Sequence, residues 1–294
     1  MKHHFGDNLD RAGDYWTTIP NRERYAFIAD FEIANKDEVK ILTIGKHQKK
    51  EHWEQVFECL NLEELTLHDP SKQQVQGIHK LKHIKRLRVT FLRTNDIEFI
   101  GDFPELEELI LEYVSGFSDL TPLLKLKKLK SLHFENLRRV TNFEGLVGLN
   151  SLRYLHIDGT LDWNQPLDNF EFLKGLPDLE VLSLGFIICK KEFPAFLPIL
   201  YLSKLKKIKV GRATFKTKEY AFLQAALPNV DGCSWDLCWD YNGAFEFLGK
   251  RAGYVKKNSN AAEERCSEFI GMFENMKKES EHIISSFDRV KGNA

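Results

Sequence analysis

Leu106-Glu107-Glu108-Leu109-Ile110-Leu111 and, 23 residues later, Leu129-Lys130-Ser131-Leu132-His133-Phe134 put apolar residues at the same three positions, the first, fourth and sixth. The pattern runs outward in both directions. It recurs as Val39-x-x-Leu42-x-Ile44, Leu62-x-x-Leu65-x-Leu67, Ile84-x-x-Leu87-x-Val89, Leu152-x-x-Leu155-x-Ile157, Leu179-x-x-Leu182-x-Leu184 and Leu205-x-x-Ile208-x-Val210. A weaker ninth copy is Val230-x-x-Cys233-x-Trp235. The first residues step by 23, 22, 22, 23, 23, 27, 26 and 25. Such a period marks a repeat array: one short unit cannot bury its own apolar face, so neighbours stack and share a continuous core. The pattern is read as a short strand per repeat with its first, fourth and sixth residues facing the core; the third, fifth and seventh, which alternate with the fourth and sixth, face outward.

The return segments are apolar too: Ile97, Ile100 and Phe103, then Leu120, Leu123 and Leu126, then Phe143, Leu146 and Leu149. They read as short helices or turns filling the layer behind the sheet. Pro104, Pro122 and Pro177 fit at the edges of those segments, because proline cannot donate to a ladder. The array divides the chain into residues 1–38 as an N-terminal cap, 39–240 as a solenoid and 241–294 as a C-terminal cap. In the first part, Phe27, Ala29, Phe31 and Ile33 alternate as in a strand. In the last, Asn242-Gly243 marks a turn within a strand or short hairpin. Beyond it, Ala262, Cys266, Phe269, Phe273, Met276, Ile283 and Phe287, with Ser280 as the polar exception, predict a helix over 261–286. Asn260 with Glu263 looks like its capping box.

The Leu-x-x-Leu-x-Leu core, followed by an apolar turn ending in Leu-x-x-Leu, resembles the 22-residue class of leucine-rich repeats, as in internalins and a phosphatase-regulating subfamily. The resemblance covers roughly two thirds of the chain. It implies an α/β fold, a right-handed horseshoe solenoid with a parallel sheet on its concave face, an N-terminal cap and a C-terminal helix. It is similar to bacterial-type intracellular members, which implies a non-catalytic protein-binding role. Inhibition or immunity against an enzyme or toxin is the alternative, and a hydrolase is a weaker one. The chain departs from the family where an asparagine is usual, three residues after the sixth position. Pro70, Leu92, Val114, Leu137, Thr160, Ile187 and Ala213 stand there, so apolar packing is expected to hold the turn. The longer later repeats are expected to carry bulkier convex helices.

Composition narrows the function. A net charge of −1 argues against a dominant nucleic-acid role, which normally needs a strong basic excess. No stretch reaches the ~18 apolar residues of a membrane span, and five cysteines without framework spacing, Cys59, Cys189, Cys233, Cys238 and Cys266, favour a reducing, cytoplasmic setting. No phosphate-binding loop or nucleophile elbow is present, no cofactor is expected, and no catalytic or metal residue is assigned.

The candidate site is the outward face. Its charged and aromatic residues are Arg86, Arg88, Glu108, Glu112, His133, Glu135, Tyr154, His156, Asp158, Lys207 and Lys209. They read as an acidic centre flanked by basic pairs, suited to steer a partner protein with a basic centre, with Tyr154 as the aromatic anchor. His133 and His156 fall at equivalent positions of adjacent repeats, so their rings should lie side by side. Two histidines with a carboxylate can bind zinc, yet repeats bring like residues together by construction, and the reading here is partner contact. Cys233 reads as a buried inward residue, and the lysines of 125–130 as a solvated rim with snorkelling stems. The C-terminal helix either covers the last repeat or offers a route to self-association.

Overall fold

The structure, a computed structural model, describes residues 32–292. The strand expected over 25–33 and nearly all of the proposed N-terminal cap lie outside them. Each apolar triplet from 39 to 210 forms one short strand: β1 (Ile41–Gly45), β2 (Glu64–His68), β3 (Arg86–Thr90), β4 (Glu108–Glu112), β5 (Ser131–Glu135) and β6 (Tyr154–Asp158). Two shorter strands then alternate with the array, giving β7 (Gln165–Leu167), β8 (Val181–Gly185), β9 (Ile187–Cys189) and β10 (Lys207–Val210). One parallel sheet runs β1-β2-β3-β4-β5-β6-β8-β10. Its register pairs Leu65 with Leu87, Leu87 with Leu109, Leu109 with Leu132 and Leu132 with Leu155, all fully buried. Burying one such leucine is worth roughly 1.5–3 kcal/mol, so the column is a main source of stability.

The returns are tight. Residues 98–102, 121–125, 144–146, 171–175 and 197–201 are 3-10 turns, closed by Ile100 N–H to Ile97 (3.0 Å), Leu123 to Leu120 (3.0 Å), Leu146 to Phe143 (3.0 Å) and their counterparts. Their apolar residues fill the layer behind the sheet as expected. The first four start on a side-chain oxygen: Asp96 accepts from Glu98 N–H (3.1 Å), Asp119 from Thr121 (2.8 Å), Asn142 from Glu144 (2.8 Å) and Asn169 from Glu171 (2.7 Å). These Asx turns satisfy the first orphan amide of those four returns.

The missing asparagine column is replaced in two ways. Leu92, Val114, Leu137 and Ile187 are buried, so apolar packing holds those turns as the sequence implied. Gln165 adds a polar latch. Fully buried, it accepts from Leu137 N–H (2.9 Å) and donates to the carbonyls of Val140 (2.7 Å) and Leu137 (3.3 Å). The two longest repeats do not carry bulkier helices. Their extra residues form β7 and β9, which pair in a second small parallel sheet, while their returns stay 3-10. The ninth copy makes a single parallel bridge, Lys207 to Asp231, and then leaves the sheet.

Besides the short helices α1 (Lys50–Trp53) and α2 (Lys72–Gly77), the last array repeat returns through α3 (Thr217–Ala226). The C-terminal part holds an antiparallel sheet of β11 (Cys238–Tyr241), β12 (Ala244–Phe247) and β13 (Tyr254–Lys256), then α4 (Ala262–Gly292). Helix α4 folds back onto α3 and this sheet. Phe269 stacks on Phe247 (4.6 Å between centroids), and Phe287 meets Tyr201 edge-on (5.4 Å). Ser280, the polar exception, is fully buried and donates to the Met276 carbonyl (2.8 Å). The helix begins on a turn made by Ser259, whose hydroxyl accepts from Ala261 N–H (3.3 Å), where the sequence had pointed to Asn260. Among the described residues, no helix is long and apolar enough to cross a membrane.

Two predictions follow from these contacts. Gln165→Leu keeps the volume but orphans the Leu137 N–H and the Val140 carbonyl, so urea unfolding should show a loss of about 1–3 kcal/mol; an unchanged midpoint would remove the latch from the fold's supports. Glu219, buried at the start of α3, accepts from Ala195 N–H (3.1 Å). Burial, only partly offset by backbone N–H groups, raises its pKa above the ordinary 4.5. The folded state then holds a proton that the unfolded state has lost, so this residue's contribution is present below pH 4.5 and lost as pH rises. Thermal melts of wild type against Glu219→Gln should show the wild type weakening relative to the variant from pH 4.5 upward, and parallel curves would contradict it.

Candidate functional site

The sheet register carries the third, fifth and seventh residues of neighbouring strands side by side in rows, with neighbours in a row about 4.8 Å apart. In the third-position row, Glu64, Arg86 and Glu108 are consecutive. Arg86 bridges both acids, with Nη1 2.6 Å from Glu64 Oε1 and Nε 3.3 Å from Glu108 Oε1. Arg88 reaches diagonally to Glu112 on β4, donating Nε to Oε2 at 2.9 Å and Nη2 to the same oxygen. Arg88 is fully buried and Glu112 nearly so.

Toward β6 the row turns aromatic. The rings of His133 and His156 lie side by side as anticipated, 4.2 Å between centroids. Along β6, Tyr154 Oη is 3.0 Å from His156 Nδ1, and His156 Nε2 is 3.3 Å from Asp158 Oδ2. Burial, reinforced by the charge of Asp158, pushes the Tyr154 hydroxyl well up, so it keeps its proton. His156 links Tyr154 to Asp158 through its two ring nitrogens. Gly185 sits opposite Asp158 in the register; a Cβ there would lie 2.5 Å from Asp158 Oδ1, so only glycine leaves room for that carboxylate.

The geometry revises the charge map. Glu108, Glu112, His133, Glu135, Tyr154, His156 and Asp158 are all buried, at 0–7% exposure. The acidic centre and the Tyr154 anchor are therefore an internal network laid along the sheet, rather than a solvated surface. Arg86 stays partly exposed, as do Lys207 and Lys209, and Lys207 pairs with Asp231 at 3.1 Å. Alternation tells which side a residue takes, and lateral pairing of long side chains decides how deep it lies. Within this network Glu112, His133 and Glu135 each bring one ligand atom within 4.8 Å of the others.

Sequence reasoning missed the rim. The residue after the strand adopts a left-handed conformation at Asp69 (φ 42°), Phe91 (57°), Tyr113 (53°), Asn136 (55°) and Phe186 (44°). There the chain leaves the ladder, after Phe91 N–H donates to Glu112 O (3.0 Å) and Tyr113 N–H to Glu135 O (2.9 Å). Asn and Asp tolerate this region, whereas for aromatic residues it is a rare and strained choice. Yet Phe91 is 49% and Phe186 43% exposed. Phe91 stacks on Tyr113 (4.9 Å, 19°) and meets His68 edge-on (5.4 Å). The signal was a column mixing Asp69 and Asn136, residues that tolerate the left-handed region, with three aromatics.

The other candidates settle as inert. All five cysteines are free thiols. Burial pushes Cys233 up to about 12, and burial with the nearby Cys266 does the same for Cys238. Both stay protonated at neutral pH and are poor nucleophiles. Lys125, Lys128 and Lys130 pair with Glu98, Glu105 and Glu107 of the preceding repeat on an exposed rim. Breaking the Arg88–Glu112 pair leaves a buried charge, so Arg88→Met should cost about 3–5 kcal/mol in denaturant unfolding, and Arg88→Met with Glu112→Leu should recover much of it. Equal losses in the single and double variants would show that the pair is not what balances these charges.

No protein-family model matches the chain, and no curated protein matches it. Solved structures similar to it include internalin C2 of Listeria monocytogenes, at 21% identity and TM-score 0.43, over 60% of this chain and 75% of that one. A leucine-rich repeat protein of Leptospira interrogans is similar at 15% identity and TM-score 0.31, over 64% of each chain. TLR13, in a complex with ssRNA13, is similar at 18% identity and TM-score 0.39, over 60% of this chain and 29% of that one. By its own repeated triplet and its eight-stranded parallel ladder, the chain has the fold of a leucine-rich repeat solenoid.

Proposed function

We propose that the chain is a non-catalytic protein-binding module that meets its partner along the rim where the strands end. The observation that carries this reading is the Phe91–Tyr113 stack. Two aromatic side chains occupy backbone positions that cost roughly 1–2 kcal/mol for an ordinary residue, and Phe91 is half exposed there. Strained, exposed aromatic residues contribute little to folding, and strain of this kind concentrates at functional positions. Aromatic side chains dominate the energetics of protein interfaces. The partner is expected to offer an apolar segment to this ridge. Hydrophobic burial keeps the scaffold rigid, so little freedom is lost on docking.

Asparagine accepts the left-handed backbone, so Phe91→Asn with Tyr113→Asn removes the ridge without disturbing the fold. Affinity purification from native extract should recover a protein with the wild type that the double variant loses, while both melt at the same temperature. Equal recovery by the two would exclude the rim as the docking surface.

A further inference from the structure

We propose that Glu112, His133 and Glu135 form a binding site for one divalent transition-metal ion on the face of the sheet turned away from the core. The three come together through the repeat register. His133 and Glu135 are two residues apart on β5 and so share a face. Glu112 is the register partner of Glu135 on β4. One nitrogen of His133 and one carboxylate oxygen from each glutamate lie within 4.8 Å of one another, a span that a modest closing of rotamers brings to the ~2.0–2.2 Å bonds of such an ion. All three residues are buried, each at 2% exposure.

The donor set selects the class of ion. One imidazole nitrogen with two carboxylate oxygens suits zinc, manganese, ferrous iron or cobalt; magnesium and calcium prefer oxygen alone. The surroundings are those of a metal site as well. Arg88 holds Glu112 through Oε2 with two N–H groups, which orients the carboxylate. The His156 ring lies against His133, itself fixed between Tyr154 and Asp158. Partners of this kind set the orientation of ligands elsewhere. Ile110, buried at 1% exposure and the register partner of His133, walls the site on one side. Electrostatics favours occupation: Glu112, Glu135 and Asp158 are adjacent in one row, and carboxylates side by side across strands repel. A divalent cation between the first two turns that repulsion into attraction.

The test uses the full chain stripped with a chelator and titrated with Co2+ alone. The visible absorption of cobalt reports its ligands, and equilibrium dialysis gives the stoichiometry. One Co2+ per chain is expected, with a spectrum of nitrogen and oxygen ligation and without the charge-transfer band of thiolate. His133→Ala and the near-isosteric Glu135→Gln should each weaken binding by at least the about 10–100-fold that even supporting residues give, with melts in chelator confirming that both fold. If either variant does not fold, the wild type still decides. Bound Co2+ should shift the NMR signals of the Ile110 methyl groups and the Tyr154 ring, and leave those of Phe269 and Phe273 on α4 in place. Absence of binding, a thiolate band, equal affinity in the folded variants, or paramagnetic shifts confined to another region would each overturn the assignment.

Discussion

Leu109 lies between Leu87 and Leu132, each at the fourth position of its strand and each without solvent contact. This stacking of like on like, carried from Leu42 to Ile208, fixes the register of the whole sheet. A slip of one residue would turn a strand's apolar set outward, and neighbours in the column would oppose it. The same constraint acts on the outward side, where no hydrophobic requirement chose the residues. Whatever occupies the third, fifth or seventh position is placed beside its counterpart in the next repeat. Rows of acids, paired histidines and the aromatic rim are consequences of the leucine column.

That placement is costly for charges, and the chain manages it by staggering signs. Arg86 stands in its row between Glu64 and Glu108, so alternation along the row replaces repulsion with two ion pairs. Arg88 leaves its own row and crosses to Glu112. Beyond β4 no arginine or lysine continues the pattern until Lys207 on β10, and the network passes to Tyr154 and Asp158 linked through His156. Buried pairs of this kind are weak sources of stability, because desolvation offsets most of the attraction. Their residue types therefore reflect what the face is for more than what keeps the chain folded.

Much of this was legible from residues alone. The triplets gave every strand of the main sheet, and the apolar returns gave the layer behind it. The fold-back of the C-terminal helix agrees with the spacing of Phe269, Phe273 and Met276. What periodicity hid has physical reasons. It separates inside from outside, but the depth of Glu135 or Tyr154 depends on how long side chains lie across one another. The small sheet of β7 and β9 was invisible because three residues carry no period. Gln165 was invisible because a single buried amide looks like any polar loop residue until its three partners are known. The Asp96, Asp119, Asn142 and Asn169 column was within reach, since it recurs at the repeat spacing.

The left-handed column carries the sharpest contrast between folding and use. Five repeats turn the chain through a left-handed residue just after the strand, and asparagine or aspartate does so at little cost. Asn136 and Asp69 meet that need. Phe91, Tyr113 and Phe186 meet it at the expense of strain and leave aromatic surface in contact with water. Stacking of Phe91 on Tyr113 returns part of that cost, since such pairs are worth about 0.5–1.5 kcal/mol, but asparagine would have avoided it altogether. A scaffold that needed only to fold would have filled the column uniformly. Phe91 and Tyr113 interrupt it next to the buried Arg88–Glu112 pair, so that departure from the folding optimum falls where the outward network meets the ends of the strands, which is where a rigid solenoid can present side chains to another molecule.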